Sequence, residues 1–369
     1  MNTPDRKQLM HQASEGSSSE AMVQLGKMLE NEDIIAAKEW YRKAAESGFI
    51  RAMRRLGLLA MSENDFEEAK KWFRTAAEEG DLNSMSNLGI ILKNLGETDQ
   101  AENWYKIAAV QGYAQAMINL AALCFDTNRN DEGITWLLKA ADTGEPSAYL
   151  YLGDRKAEEG DYTASRKYFQ KAYAEGLFEG LVSIGQTYIA EKNFSEAELF
   201  YRENLEEGGT GFVLNLSHVL ISLGKTENAI TLLEHYASEG MIEAMYNLGV
   251  IYQEAGDLQR ASDWYVKSGD LGYAPAYHNL GLILEESSKS EAIEIYRKSF
   301  ENGVLQSSLN LGLLLEDLGK SDEALEIYTS AAKQGFKPAI EALVEVFDEK
   351  GEETLAEEWR RKLDLVHNH

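Results

Sequence analysis

The feature that most constrains this chain is a spacing of glycines. Gly16, Gly48, Gly80, Gly112, Gly144, Gly176, Gly208, Gly240, Gly272, Gly303 and Gly335 recur every 32 residues, with a single interval of 31 between Gly272 and Gly303. A second series keeps step: Gly26, Gly57, Gly89, Gly153, Gly185, Gly249, Gly281 and Gly312, with the small residues Ala121 and Ser217 at the two internal gaps. A third comprises Gly96, Gly160, Gly224, Gly256 and Gly319. A unit of this length is too small to bury its own apolar face. Units of this kind stack and share one continuous core.

Between the glycines the apolar period is helical. The stretch AMYNLGVIY from Ala244 matches SMSNLGIIL from Ser84 and AYHNLGLIL from Ala276, and its apolar residues fall on one side of a 3.6-residue helix. The following stretch reads AKEWYRKAAESG from Ala37, AKKWFRTAAEEG from Ala69 and AENWYKIAAVQG from Ala101. It predicts a second helix ending at a glycine suited to the left-handed C′ position. The third glycine series falls in the turn between the two helices. Pro146, Pro275 and Pro338 lie just after boundary glycines, where a first helical turn tolerates proline. Each unit is thus read as a helical hairpin. The six tryptophans (Trp40, Trp72, Trp104, Trp136, Trp264, Trp359) share one repeat position and are assigned to packing between helices.

The expected fold is all-α, a right-handed superhelical solenoid of about eleven 32-residue hairpins in a single domain, residues 1–369. Residues 1–16 form an N-terminal capping helix with Thr3 as N-cap and Pro4 at its first position. Residues 17–335 form ten repeats, and residues 336–369 a C-terminal capping repeat and tail, its outer face dense in acid from Glu345 to Glu358. The 62 Asp and Glu against 36 Lys and Arg give a net charge of −26, which argues against nucleic acid as a partner. One cysteine excludes a disulfide framework and multi-cysteine metal sites. No apolar run marks a secretory signal or a membrane span, so a cytoplasmic monomer without membrane insertion is expected.

The motifs A-x-x-x-L-G in the first helix and W-Y-x-K-A-A-x-x-G in the second resemble Sel1-like repeats, relatives of the tetratricopeptide repeat, over nearly the whole chain. The per-repeat cysteine pair of secreted members is absent. The resemblance implies a scaffold that assembles or regulates protein complexes, with no catalytic activity and no cofactor.

Candidate binding residues lie on the first helices. The position before the repeat leucine holds Asn87, Asn119, Asn215, Asn247, Asn279 and Asn310. Asparagine is a poor helix-interior residue, and its carboxamide can both donate to and accept from a peptide backbone. The row is similar to the asparagine ladder of the tetratricopeptide domain of O-GlcNAc transferase, which implies an extended peptide in a concave groove. The alternative is that these side chains bond only to the neighbouring helix. Flanking the row, the position two before the leucine holds Ile118, Leu150, Val182, Leu214, Tyr246, His278 and Leu309. The one after the glycine holds Leu58, Ile90, Val250, Leu282 and Leu313. About half of these are expected to be buried between successive first helices.

Three departures stand out. Asp154, Arg155 and Lys156 replace apolar residues in unit five, read as a locally loosened helix in preference to a specificity island. The run Gly208-Gly209-Thr210-Gly211 lacks the Lys-Ser/Thr of a phosphate loop and is read as a softened joint. Near it, Asn204-Leu205 and Tyr236-Ala237 replace the small pair of the second helix, and together these point to a hinge between units six and seven. His11, His218 and His235 share no metal-ligand spacing. Cys124 occupies an apolar helix position, and the tail His367-Asn368-His369 lacks the fold that a nuclease site requires. The expected function is therefore non-enzymatic binding of a protein or peptide partner of basic character. The rival readings are an immunity-type regulator wrapping a folded basic protein and a receptor for a signalling peptide.

Overall fold

A computed structural model describes residues 6–14 and 18–367; among them every regular element is an α-helix. The expected caps at Thr3 and Pro4, the boundary Gly16 and the side chains of the His367–His369 tail lie outside the described residues. By internal contacts the chain divides into Met1–Glu191 and Lys192–His369.

The first unit opens with the lone helix Arg6–Ser14 and continues in five antiparallel hairpins, each a leading helix A and a following helix B. These are Ser19–Leu29 with Ile34–Glu46, Ile50–Ser62 with Phe66–Glu78, Leu82–Asn94 with Thr98–Val110, Ala114–Asp126 with Asn130–Asp142, and Pro146–Glu158 with Tyr162–Ala174; Phe178–Ala190 completes the unit. The second unit begins with Phe194–Glu203. It then pairs Leu205–Ser222 with Thr226–Ser238, Ile242–Glu254 with Leu258–Asp270, Ala274–Ser287 with Lys289–Glu301, Ser307–Asp317 with Ser321–Lys333, and Lys337–Glu349 with Glu353–His367.

Local chemistry explains the helix ends. The side chains of Asp33, Asp65, Asp161 and Asp257 accept the N–H three residues on and cap B helices. Boundary glycines such as Gly48 and Gly80, at φ 80° and 90°, take the left-handed C′ place. There Phe49 N–H bonds the Ala44 carbonyl at 3.1 Å and Gly48 N–H that of Ala45 at 2.9 Å. The three prolines sit in the first turns of their helices.

The glycine inside helix A has a narrower purpose than close helix approach. A methyl group on Gly26, Gly57, Gly89, Gly153, Gly249, Gly281 or Gly312 would fall 2.2–2.7 Å from an aromatic ring on helix B of the same hairpin. Those rings belong to Tyr41, Phe73, Tyr105, Phe169, Tyr265, Tyr296 and Tyr328, all buried. Where helix A carries Ala121 or Ser217, the ring position holds Leu137 or Leu233 instead. A narrower side chain leaves room for the Cβ. Trp359 is buried and the other five tryptophans are half-buried, and lysines lie over several of them: Lys139 is 4.0 Å from the centroid of Trp136 and Lys267 3.9 Å from that of Trp264.

Two local expectations are corrected. The helix Pro146–Glu158 runs unbroken through Asp154, Arg155 and Lys156. Its two cations pair with Glu158 and Glu159 three residues on, which supports the turn instead of loosening it. At the second place, the left-handed residue is Gly209 (φ 56°, ψ −145°), not Gly208. Phe194–Glu203 ends early, at Asn204, and Gly208 packs against the Phe212 ring so tightly that a Cβ would overlap it.

Candidate functional site

All six asparagines are half-buried on A helices, and the tyrosines behind them divide them into two kinds. In four hairpins the buried B-helix tyrosine donates its hydroxyl to the A-helix residue four beyond the glycine. Tyr41 bonds Glu30, Tyr265 bonds Gln253 at 2.7 Å, Tyr296 bonds Glu285 and Tyr328 bonds Glu316 at 3.4 Å. Such a hydroxyl still has a lone pair to satisfy. In two of these hairpins the asparagine 14 residues on fills that need. Asn310 Nδ2 donates to Tyr296 Oη at 2.8 Å and to Glu285 at 3.1 Å; Asn279 Nδ2 donates to Tyr265 Oη at 3.3 Å and Tyr246 Oη at 3.1 Å.

Asn215 lies beside the Tyr201 hydroxyl, where burial pushes the phenol up to about 12 and the asparagine opposes it, but that hydroxyl has no hydrogen-bond partner among the described residues. Asn119 donates instead to Ser86 Oγ at 3.0 Å and accepts from Gln115. Asn87 and Asn247 have no tyrosine behind them. The corresponding B-helix residues are Phe73 and Leu233, which have no hydroxyl, and neither asparagine hydrogen-bonds through its side chain to any described residue. The signal is present in the sequence as the residue 14 positions upstream, but it has meaning only once the A and B helices are placed side by side.

Asn247 also borders an opening. With Leu214, Ser217, His218, Ile221, Val250, Ile251 and Glu254 it lines a cavity of about 250 Å³. Leu214 and Val250 are half-buried there, and Ile221 is 36% exposed. Further along, Leu282 (41%) and Leu313 (59%) present apolar surface at the position after the glycine.

The other flanking residues are more deeply engaged. Tyr246 packs in a tyrosine cluster, its ring centroid 4.9 Å from that of Tyr273 and 5.8 Å from that of Tyr265. His278 Nδ1 lies 2.9 Å from Ser307 Oγ, and burial holds its pKa below the usual value, with Glu285 opposing. Ser307 is fully buried and bonded to Ser299, so this pair is internal. Ile118 is buried, whereas Leu150, Val182 and Leu309 are half-buried. Cys124 is buried, and burial raises its thiol pKa. No group of three potential metal ligands occurs among the described residues, and no helix among them is long and apolar enough to cross a membrane.

Comparison with known proteins accords with this construction. A model of the Sel1 repeat matches residues 19–49, 50–81, 114–145 and 146–177, and tetratricopeptide repeat models match 82–107, 242–268 and 305–333. Among solved structures, c5321, a protective antigen present in uropathogenic Escherichia coli strains and displaying an SLR fold, is 22% identical. That alignment covers 99% of this chain and 91% of that one at a TM-score of 0.51. A Sel1 repeat protein from Oxalobacter formigenes is 23% identical over 84% of this chain and 90% of its own, at a TM-score of 0.43. Yeast Tom70 is 13% identical over 93% and 96%, also at 0.43. No curated protein matches the chain.

Proposed function

Because this chain belongs to the Sel1-like, tetratricopeptide-related repeat proteins, we propose that it is a non-enzymatic interaction module holding an extended segment of a protein partner along its A helices. Repeats of this kind commonly serve protein–protein interaction. The observation that carries the reading is Asn247. Its carboxamide has no hydrogen bond to any described residue and borders a cavity of about 250 Å³, sized for one side chain, with four aliphatic residues in its lining. A backbone amide bonded to Asn247 would place a neighbouring aliphatic side chain against Leu214, Ile221, Val250 and Ile251. Along the row, Asn279 and Asn310 use Nδ2 internally, which turns Oδ1 into a fixed acceptor for a peptide N–H. Leu282 and Leu313 add exposed apolar contact beside them.

The net charge of −26 favours encounter with a basic segment. The partner class is therefore a protein with an extended, basic and partly aliphatic segment, and the proposed setting is the cytoplasm, with the chain as a monomer. The same charge argues against nucleic acid as a partner.

The test is capture from source-cell lysate, identification of the bound segment by cross-linking, and titration of that synthetic segment against wild type and Asn247→Ala. Loss of one backbone bond is expected to weaken binding about five- to tenfold, equivalent to about 1–1.4 kcal/mol, at unchanged helicity. Equal affinity for both proteins would refute the role of Asn247. Affinity that collapses with salt yet ignores Asn247 would favour a folded basic partner wrapped by the array.

A further inference from the structure

The irregular joint at Gly209 creates a second opening, away from the asparagine row. Leu205, Glu206, Gly209, Thr210, Tyr236, Glu239, Gly240, Met241, Ile242 and Glu243 line a cavity of about 510 Å³. Its floor is apolar: Leu205, Tyr236, Met241 and Ile242 are each half-buried. The cavity exists because the repeat rule is broken here. Position 236 holds tyrosine where other repeats hold small residues such as Ala44, Ala76 and Ala108, and the preceding helix stops at Asn204.

Three carboxylates ring this floor and no lysine or arginine lines it. Glu206 and Glu243 make no ion pair with any described residue, and the ionic contact of Glu239 is with His235, at 3.8 Å. Another cavity of the chain is lined by one of its own cations. In the cavity of about 570 Å³ bounded by Ile118, Phe125, Tyr151 and Glu158, the Arg155 guanidinium lies 4.9 Å from the Phe125 centroid and pairs with Glu158, while Asp126 pairs with Lys93 at 2.6 Å. The joint has the same ingredients, an aromatic ring, an apolar floor and carboxylates, without the cation.

We propose that this cavity is a docking site for an arginine side chain presented by a protein partner. The aliphatic stem would lie on Leu205, Met241 and Ile242, and the planar guanidinium would face Tyr236 and bridge two of the three carboxylates. The site lies at the B-to-A turns and is independent of Asn247, so its fate and that of the A-helix row are separable.

The test uses the full chain with 13C-labelled Met and Ile methyl groups, titrated with N-acetyl-arginine methylamide at millimolar concentration. Saturable shifts of the Met241 and Ile242 methyl signals are expected, while the buried Met85 and Met117 signals stay fixed. The citrulline analogue, which keeps the shape and removes the charge, is expected to leave the signals in place. The E206Q/E239Q/E243Q variant, whose substitutions are near-isosteric and keep the fold, is expected to weaken the titration at least tenfold, and Asn247→Ala to leave it unchanged. Shifts that never saturate, equal shifts with citrulline, or an unaffected triple variant would each overturn the proposal. Equal affinity for the lysine analogue would overturn the assignment to arginine.

Discussion

Replacing Gly89 with alanine sets two well-known effects against each other. In an ordinary helix interior the change gains about 0.8–1.0 kcal/mol, because glycine carries excess backbone freedom. Here the new Cβ would stand 2.3 Å from Tyr105 Cε1 and 2.7 Å from both Cδ1 and Cζ. The ring is 2% exposed and packed in the core that spans Ala60 to Leu152, so it has little room to retreat. Overpacking of this kind costs about 1–3 kcal/mol, which leaves a net loss of about 1 kcal/mol. The natural pairs Ala121 with Leu137 and Ser217 with Leu233 indicate the rescue. In a Tyr105→Leu background the same Gly89→Ala change is expected to stabilise by about 0.5–1 kcal/mol, a coupling of about 2 kcal/mol between the two sites. Global unfolding of a repeat array is a poor measure because it need not be all-or-none. Native-state hydrogen exchange in Leu82–Asn94 and Thr98–Val110 reads the local free energy directly. A Gly89→Ala effect of the same sign in both backgrounds would refute the assignment of this glycine to the ring.

Three further outcomes follow from the same geometry. Asn310→Ala removes the donor to Tyr296 and Glu285 and is expected to destabilise its hairpin by about 1–2 kcal/mol, whereas Asn247→Ala leaves stability within about 0.5 kcal/mol; hydrogen exchange distinguishes them. In the joint, Gly209→Ala forces a side chain into a left-handed conformation and should cost about 1–3 kcal/mol. Gly211→Ala, whose Cβ meets nothing within 4 Å, should gain about 0.5–1 kcal/mol, read by native-state hydrogen exchange in the same hairpin. Glu102, hydrogen-bonded by Arg129 and Lys106, has its pKa held down to about 2. Its folded-state pKa is depressed, so the stability it contributes is present above its ordinary value of 4.5 and is lost as pH falls towards 2. Glu102→Gln should flatten the pH dependence of local hydrogen-exchange protection in that window and leave the rest of the profile unchanged.

The repeat is legible in the order of the amino acids, because stacking makes every unit solve the same packing problem. The glycine intervals, the helix-ending residues and the first-turn prolines are local requirements of backbone geometry, and local requirements leave their mark in sequence order. The row of asparagines is equally visible. Its meaning is not, since Asn310 and Asn247 occupy the same register and differ only in what lies behind them: a tyrosine hydroxyl in one case and Leu233 in the other. The seating of Tyr105 against Gly89, and the opening that Tyr236 and the shortened helix leave beside Gly209, likewise depend on side chains brought together from two helices. Sequence alone determined the helices, their period and their ends, because those follow from interactions within a few residues. Tertiary structure decided which polar groups are satisfied inside the protein and which stay available to a partner, because hydrogen-bond satisfaction depends on distances that only packing sets.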